Sequence, residues 1–214
     1  MALHNPSRLD SCRACPRLAR HLRSVRELHP DYHARPVAAW GSQRARLLVV
    51  GLAPGMHGAN RTGRPFTGDA SGEFLFSALA RSGIASTADA NTARLKNVRI
   101  TNAVKCLPPG NRPNAGELRQ CSGYLRREMN DLWSPTARRP RCILALGMLA
   151  HQAVGIAREQ RLPGFRHGQI IQLEHNLWLA DTYHPSRQNT NTRRLTAAML
   201  DDVLTLVTGL LRSG

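Results

Sequence analysis

One stretch of this sequence, Gly51 to Asp69, concentrates side chains that could do chemistry. Glycines recur along it, so the backbone can approach a bound ligand closely. The polar and aromatic side chains that it carries are His57, Asn60, Arg61, Arg64, Phe66 and Asp69. Phe66 is a candidate platform on which a flat ring could stack, and the guanidinium groups of Arg61 and Arg64 suit phosphate. The stretch is therefore a candidate binding loop.

Asp69 closes this loop, directly before a segment that is predicted to begin a helix at about Ser71. A carboxylate in that position commonly caps a helix by accepting a backbone N–H. Capping is compatible with chemistry, because a carboxylate beside a helix N-terminus stays ionised and can orient water or face a developing positive charge. Position alone leaves both interpretations of Asp69 open.

Polar side chains also follow two other predicted strands. Asn102 ends the run that begins at Val98, and His184 comes after the run Leu177–Ala180. Alone, Asn102 could be a turn-initiating amide and His184 an ordinary loop histidine. Because ligands bind where the carboxyl ends of parallel strands meet, three polar clusters at such ends predict one shared site. The third cluster continues past His184 with Ser186, Arg187, Gln188 and Asn189.

Four of the five cysteines could form a metal site. Cys12 and Cys15 are two residues apart in an arginine-rich segment, and Cys106 and Cys121 lie far along the chain. Four thiols can close a tetrahedral site for zinc or hold a [4Fe–4S] cluster, and the spacing does not separate the two. Cys121 alone could equally be a core residue on an apolar helix face. Cys142 lies within a buried-strand pattern and is predicted to be a core residue.

Short apolar runs alternate with segments of helical period, which predicts an α/β fold whose parallel sheet is covered by helices on both faces. Residues 34–45 are predicted to be a connector, and the last helix is predicted to begin at about Asn191. We expect one domain over residues 1–214, with a cysteine-containing N-terminal segment of about 35 residues. The predicted core strands are Arg46–Val50, Val98–Ala103, Cys142–Leu146 and Leu177–Ala180, with Ile170–Leu173 pairing to the last as a hairpin.

The chain is strongly basic, with 30 Lys and Arg against 14 Asp and Glu and a formal net charge of +16. Such an excess indicates a polyanionic partner, and nucleic acid is the first choice. An apolar run of about 18 residues is lacking, and so is an apolar N-terminal region of the signal-peptide kind. We therefore expect no membrane association and a cytoplasmic location, at the nucleoid when the protein is bound to DNA.

Taken together and in their order along the chain, the motifs described above resemble those of the uracil-DNA glycosylase superfamily, in particular its iron–sulfur type-five branch. The similarity covers nearly the whole chain, with Ala53 and Leu52 apolar where many other members carry an acidic or amide residue. Because neither apolar side chain can polarise a water molecule, we expect Asp69 and Asn102 to activate the water instead. The residues that carry the resemblance are Gly51–Gly55, Gly58–Gly63, Phe66–Asp69, Thr101–Cys106, Ala145–Gly147, His184–Asn189 and the four cysteines.

This resemblance implies a three-layer α/β/α sandwich around a four-stranded parallel sheet. It implies a [4Fe–4S] cluster on Cys12, Cys15, Cys106 and Cys121, which would tie the N-terminal segment to the domain. The implied activity is hydrolysis of the N-glycosidic bond of uracil, and of other deaminated bases such as hypoxanthine and xanthine, in DNA by a monomer. The implied catalytic residues are Asp69, Asn102 and His184, the base contacts Phe66, Gly51, Ala53 and Asn102, and the DNA contacts Arg61, Arg64 and Ser186–Asn189.

Two other functions fit parts of the sequence. A non-catalytic nucleic-acid-binding module with a structural metal would explain the charge and the cysteines, but it would leave Asp69, Asn102 and His184 without a role. An iron–sulfur electron carrier would explain only the cysteines, and the high basic charge argues against it.

Overall fold

A six-stranded sheet runs through residues 9–133 and 139–212, which are the residues that the computed structural model describes. Its order is β1-β3-β2-β4-β6-β5, in which the central pairs are parallel and both edge strands are antiparallel. The strands are β1 (Trp40–Gly41), β2 (Leu47–Gly51), β3 (Val98–Asn102), β4 (Arg141–Leu146), β5 (Ile170–Glu174) and β6 (Leu177–Thr182).

The sheet is thus mixed and six-stranded, whereas the sequence predicted a parallel sheet of four strands. The predicted hairpin is confirmed, and its first arm, β5, extends the sheet by one antiparallel strand. The other addition, β1, lies in the predicted connector and pairs Trp40 with Ile100 and Gly41 with Arg99. A strand of two residues is too short to show the alternation by which strands are recognised in a sequence.

Helices cover both faces of the sheet, as the alternating pattern predicted. On β2, Leu47 and Val49 face a core formed with α3 and α7, whereas Leu48 and Val50 face a core formed with α4 and α5. The helices are α1 (Pro16–Leu28), α2 (Ala59–Thr62), α3 (Ala70–Arg81), α4 (Ala115–Leu132), α5 (Met148–Arg158), α6 (Arg187–Asn191) and α7 (Ala197–Arg212).

The start of α4 is fixed by a capping box between Asn114 and Glu117, whose spacing is the sequence signature of this motif. Asn114 Oδ1 accepts the N–H of Glu117 at 2.9 Å, and the Glu117 carboxylate accepts the N–H of Asn114 at 2.8 Å. The same carboxylate binds both Nε and Nη2 of Arg17 on α1, at 2.8 and 2.7 Å. Glu117 is buried, so this paired contact holds α1 against the first turn of α4.

The end of the chain differs from the prediction of one helix from about Asn191. It forms the short α6 and then α7, separated by a turn in which Arg193 has a φ of 56°. Thr196 Oγ1 accepts the N–H of Met199, as a helix cap does. The inward face of α7 consequently consists of Leu200, Val203, Leu204 and Val207, whereas Leu206 is exposed.

The N-terminal segment packs onto the sheet domain through α1. Leu18 joins the core under α4, and Leu22 and Val25 form a smaller cluster with Ala34 and Leu107. Residues 1–8 of the predicted segment lie outside the described residues. Within the described ranges, we find no helix with the length and apolar character needed to cross a membrane.

Candidate active site

A cavity of about 620 Å³ opens at the carboxyl ends of the central strands. Its lining brings together groups from all three polar clusters that the sequence singled out. The residues that line it are Leu52, Ala53, Pro54, Gly55, Ala59, Phe66, Asp69, Ser71, Asn102, Gly110, Asn111, Arg112, Leu149, His184, Ser186 and Gln188. Its volume is within the range of small-molecule sites.

Asp69 both caps α3 and lines this cavity. Its Oδ1 accepts the N–H of Gly72 at 3.0 Å, which confirms the predicted cap. Its Oδ2 lies against two glycines of the loop, since a Cβ would sit 2.0 Å from that oxygen at Gly58 and 3.2 Å from it at Gly55. The glycines therefore leave room for a carboxylate that has one oxygen on the helix N-terminus and the other against the loop, in a residue that lines the cavity.

Gly51 lets Asn102 and Phe66 approach each other at the floor of the site. A Cβ on Gly51 would lie 2.5 Å from Asn102 Oδ1 and 2.6 Å from Phe66 Cε2, so only glycine fits there. Asn102, the last residue of β3, is buried but lines the cavity. Gly51 was predicted to touch a base, and in the structure it supports the two side chains that line the cavity.

Phe66 is held in an unusual backbone conformation. Its φ is 55°, which is uncommon for a bulky residue and is typical of positions that the surrounding structure constrains for function. The ring packs into the core and lies 6.1 Å, centroid to centroid, from the ring of His184. The two rings thus form adjacent parts of one wall of the cavity.

His184 is held in its neutral form. Burial lowers the pKa of His184 below its ordinary value, and the nearby Asp69 carboxylate opposes that shift. The ring is therefore uncharged near neutral pH and has one N–H to donate. Gly147, at the end of β4, packs against it, since a Cβ there would lie 3.2 Å from His184 Cβ.

The segment after His184 folds into the short helix α6. Ser186 Oγ accepts the N–H of Asn189 at 3.3 Å, and Asn189 Nδ2 donates to the carbonyl of His184 at 2.8 Å. Both side chains therefore stabilise the segment, while Arg187 and Gln188 are exposed. Gln188 lines the cavity, and Arg187 lies in an adjacent surface groove.

The two arginines of the Gly51–Asp69 loop contact the protein itself. Arg61 donates to the carbonyls of His57 and Gly68, at 2.7 and 3.2 Å. The Arg64 guanidinium lies 3.8 Å from the ring centroid of Trp40 and donates to the carbonyl of Ala90. Both brace the loop in this structure, and their contact with phosphate stays a prediction.

Several lining residues were absent from the sequence-based prediction. Gly110, Asn111 and Arg112 follow Cys106, in a Pro- and Gly-rich stretch that has no helical or strand period. Leu149 follows β4, and the rule that ligands bind at the carboxyl ends of strands would have pointed to it. It was overlooked because β4 ends in apolar residues rather than polar ones.

The four cysteines predicted to bind metal line a second, smaller cavity, between α1 and α4. The pKa of Cys15 is raised to about 11, mainly by burial and to a smaller extent by the neighbouring Cys121 thiol. Burial is also the main cause that raises the pKa of Cys106. A bound cation would favour the thiolate forms in this setting. Within the described residues, no group of three or more His, Cys, Asp and Glu side chains is arranged to hold a metal ion.

The donor set nevertheless suits a sulfur-ligated centre. Four thiols face one cavity, and the backbone N–H of Lys105 donates to Cys121 Sγ at 3.3 Å, a contact of the kind that supports metal-bound thiolates. Cys142 is fully buried in the sheet core on β4, as predicted.

A buried ion pair connects the two cavities. Lys105 Nζ binds both carboxylate oxygens of Glu128, at 2.7 and 2.8 Å, and Thr101 Oγ1 at 2.6 Å. Thr101 precedes Asn102 in β3, and Lys105 precedes Cys106. Lys105 is buried and its ammonium group is fully hydrogen-bonded, so this network fixes the segment 101–106. That segment carries Asn102, which lines the first cavity, and Cys106, which lines the thiol cavity.

Comparison with known proteins agrees with this architecture. Residues 38–207 match the model of the uracil DNA glycosylase superfamily. The chain is 44% identical to a type-5 uracil-DNA glycosylase of Mycobacterium leprae, over 92% of this chain and 90% of that protein. It is 43% identical to a type-5 uracil-DNA glycosylase of Thermus thermophilus, over 92% of each chain.

A more distant relative, 32% identical, is a type-4 uracil-DNA glycosylase of Pyrobaculum aerophilum, which matches over 83% of this chain and 79% of that protein. Residues 38–207, which match the family model, include the whole sheet and the cavity at its carboxyl edge. The chain therefore belongs to the uracil DNA glycosylase superfamily, within its type-5 branch.

Proposed function

We propose that this protein is a DNA repair glycosylase that hydrolyses the N-glycosidic bond of uracil in DNA and leaves an abasic site. The observation that carries the proposal is the meeting of Asp69, Asn102, Phe66 and His184 in one cavity at the carboxyl edge of the sheet. The names of the type-5 relatives support it. A protein that only bound nucleic acid would have no need of a partly buried carboxylate and a neutral imidazole beside each other.

Binding begins with the base. A base inside a duplex is out of reach, so the target nucleotide must turn out of the helix into the cavity. We infer that Phe66 stacks on the turned-out ring and that the Asn102 amide hydrogen-bonds with its edge, because both line the floor on either side of Gly51. The apolar Ala53 and Leu52 complete the wall of the base site.

The chemistry then follows from the charges that develop. As the C1′–N bond breaks, its electron pair leaves with the base and the sugar becomes oxocarbenium-like. The neutral His184 donates a hydrogen bond to the oxygen on which the base anion carries its charge. The Asp69 carboxylate stabilises the sugar cation and orients a water molecule. The water oxygen forms the new C1′–O bond, and the proton that the water loses neutralises the departed base anion.

We further propose that Cys12, Cys15, Cys106 and Cys121 hold a [4Fe–4S] cluster. The support is their shared cavity, the all-thiol donor set and the Lys105 N–H contact with Cys121. When bound, the cluster would act as a structural crosslink, since the hydrolysis requires no electron transfer. It would fasten α1 to the β3–α4 connection.

We expect activity on hypoxanthine and xanthine as well as on uracil, in a monomeric, cytoplasmic protein that is at the nucleoid when DNA-bound. A panel of duplexes containing uracil, hypoxanthine or xanthine tests the base range, with alkali-labile abasic sites as the readout. Cleavage of the uracil duplex alone would restrict the proposal to uracil. Binding without cleavage of any duplex would favour the non-catalytic alternative.

Gly58→Ala is expected to slow uracil excision by about 10²-fold, because its Cβ would lie 2.0 Å from Asp69 Oδ2 and displace the carboxylate. Single-turnover rates measure the effect. Gly123→Ala on α4 is the matched control, since a Cβ there meets nothing within 4 Å. A normal rate for Gly58→Ala with an unchanged melting temperature would show that the position of Asp69 is unimportant.

The salt dependence of DNA affinity is expected to distinguish Arg187, which is free to contact phosphate, from Arg64, which contacts the protein itself. Arg187 is exposed beside the cavity, so Arg187→Ala should lower the slope of log affinity against log salt by about one unit. Arg64→Ala is the comparison, because Arg64 is held over Trp40. An equal decrease for Arg64→Ala would support its predicted phosphate contact, and an unchanged slope for Arg187→Ala would remove Arg187 from the DNA-binding surface.

A further inference from the structure

Tyr124 lines the thiol cavity, which the four cysteines share. It follows Cys121 by three residues on α4, so the two side chains lie on the same face of that helix. Its side chain is largely buried, with only 8% of the residue exposed. Across the cavity lie Cys12 and Cys15, in the segment that leads into α1. The phenol therefore lies at the boundary between α4 and the N-terminal segment.

The hydroxyl of Tyr124 is buried and has no hydrogen bond with any of the described residues. A buried polar atom without a partner costs folding free energy, and such atoms are rare in folded proteins. Phenylalanine would fill the same space without that cost. The unpaired hydroxyl therefore indicates that the cavity is built for a group that accepts a hydrogen bond.

The acceptor that this cavity offers is sulfur. Apart from the cysteines, the side chains that line it are apolar or carry donors, with the exception of Gln120, which is exposed to solvent. A neutral thiol accepts a hydrogen bond weakly, whereas a metal-bound thiolate carries negative charge and accepts strongly. The N–H of Lys105 already donates to Cys121 Sγ. Burial is the main cause that raises the pKa of Tyr124 and the neighbouring Cys12 is the next, so the phenol keeps its proton beside the Cys12 sulfur.

We propose that the Tyr124 hydroxyl donates a hydrogen bond to the sulfur of Cys12 when that cysteine is a metal ligand. This inference rests on the proposed [4Fe–4S] cluster and goes beyond its four ligands, because it assigns a positioning role to a residue that does not bind the metal. The bond would hold Cys12 in place from α4 and reduce the negative charge on its sulfur. Hydrogen bonds to the sulfurs raise the reduction potential of such a centre, and well-ordered ligands slow its loss.

Tyr124→Phe tests the role, because it removes the hydroxyl and keeps the ring in the core between α1 and α4. In protein purified without oxygen, we expect this variant to release iron to an excess of chelator about fivefold faster than the wild-type protein, the effect of one lost hydrogen bond. Its reduction potential should move to a more negative value. The melting temperature should fall if the hydroxyl binds sulfur, whereas removal of a hydroxyl that stays unpaired would leave it unchanged or raise it.

Vibrational spectroscopy reports on the bond itself. The iron–sulfur stretching bands of the wild-type protein should shift when exchangeable hydrogens are replaced by deuterium, and this shift should be smaller in Tyr124→Phe. The N–H of Lys105, which also donates to a ligand sulfur, accounts for the shift that remains. Tyr32→Phe is the matched control, since the Tyr32 hydroxyl is hydrogen-bonded to His57 Nδ1 at 2.9 Å and Tyr32 does not line the thiol cavity.

The outcomes separate this inference from the cluster on which it rests. A brown Tyr124→Phe protein whose iron release, reduction potential and deuterium shift all equal those of the wild-type protein would overturn the proposal. The same changes in Tyr32→Phe as in Tyr124→Phe would overturn it as well, because they would not depend on the thiol cavity. A wild-type protein that contains no iron would instead contradict the proposed cluster itself.

Discussion

Replacing Asp69 by asparagine is expected to lower the single-turnover rate of uracil excision by a factor on the order of 10² or more. The structure gives this residue two positions at once, since its Oδ1 caps α3 and its side chain lines the cavity. Asparagine caps a helix about as well as aspartate, so the variant should fold normally. What it removes is the negative charge that stabilises the sugar cation and orients water.

Three measurements make this expectation decisive. DNA affinity should hold or rise slightly, because a negative charge near phosphate has been removed. The melting temperature should change little, which excludes loss of the fold as the cause. Asp89→Asn is the control, since Asp89 holds a surface turn through Asn91 and Thr92 and does not line the cavity. Near-normal turnover of Asp69→Asn would reduce this residue to a helix cap.

Loss of one cysteine of the thiol cavity is expected to abolish the metal centre. Purified without oxygen, the wild-type protein should be brown and contain about four irons per chain. Cys12→Ala or Cys121→Ala should lose the colour, the iron and much of the resistance to thermal unfolding. The stability falls because the centre connects α1 to α4, and without it the Arg17–Glu117 pair and the packing of Leu18 would have to hold the two helices together.

Cys142→Ala is the matched control for these variants. It removes the fifth thiol, which is fully buried in β4 and does not line the cavity. We expect it to keep the colour and the iron. A colourless wild-type protein with stoichiometric zinc, from cells given ample iron, would contradict the iron–sulfur proposal while leaving the four cysteines as ligands.

Local patterns in this sequence predicted elements that depend on local contacts. The capping box of Asn114 and Glu117 has a local sequence signature, and the cap at Asp69 was one of the two interpretations that position offered, because both are bonds between residues three apart. The continuous apolar run Leu47–Val50 likewise identified β2 as a strand with both faces covered. Topology then brought Asp69, Asn102 and His184 to one cavity, because the ends of parallel strands share an edge of the sheet.

Other features depend on distant partners and could not be derived in this way. The strand Trp40–Gly41 exists only through its pairing with β3. The split between α6 and α7 depends on a turn at Arg193, although Thr196 as a cap was a usable local indication. The engagement of Arg64 with Trp40 and the exposure of Leu149 beside His184 result from packing between segments far apart in the sequence.

The most direct test of the proposed function is release of free uracil from a duplex with one uracil, by the wild-type protein and by Asp69→Asn in parallel. Each product strand is treated with alkali to reveal abasic sites. We predict stoichiometric release of uracil with matching abasic sites for the wild-type protein, and slowing on the order of 10²-fold for the variant. Tight binding of the duplex by the wild-type protein with no release of uracil would contradict the account.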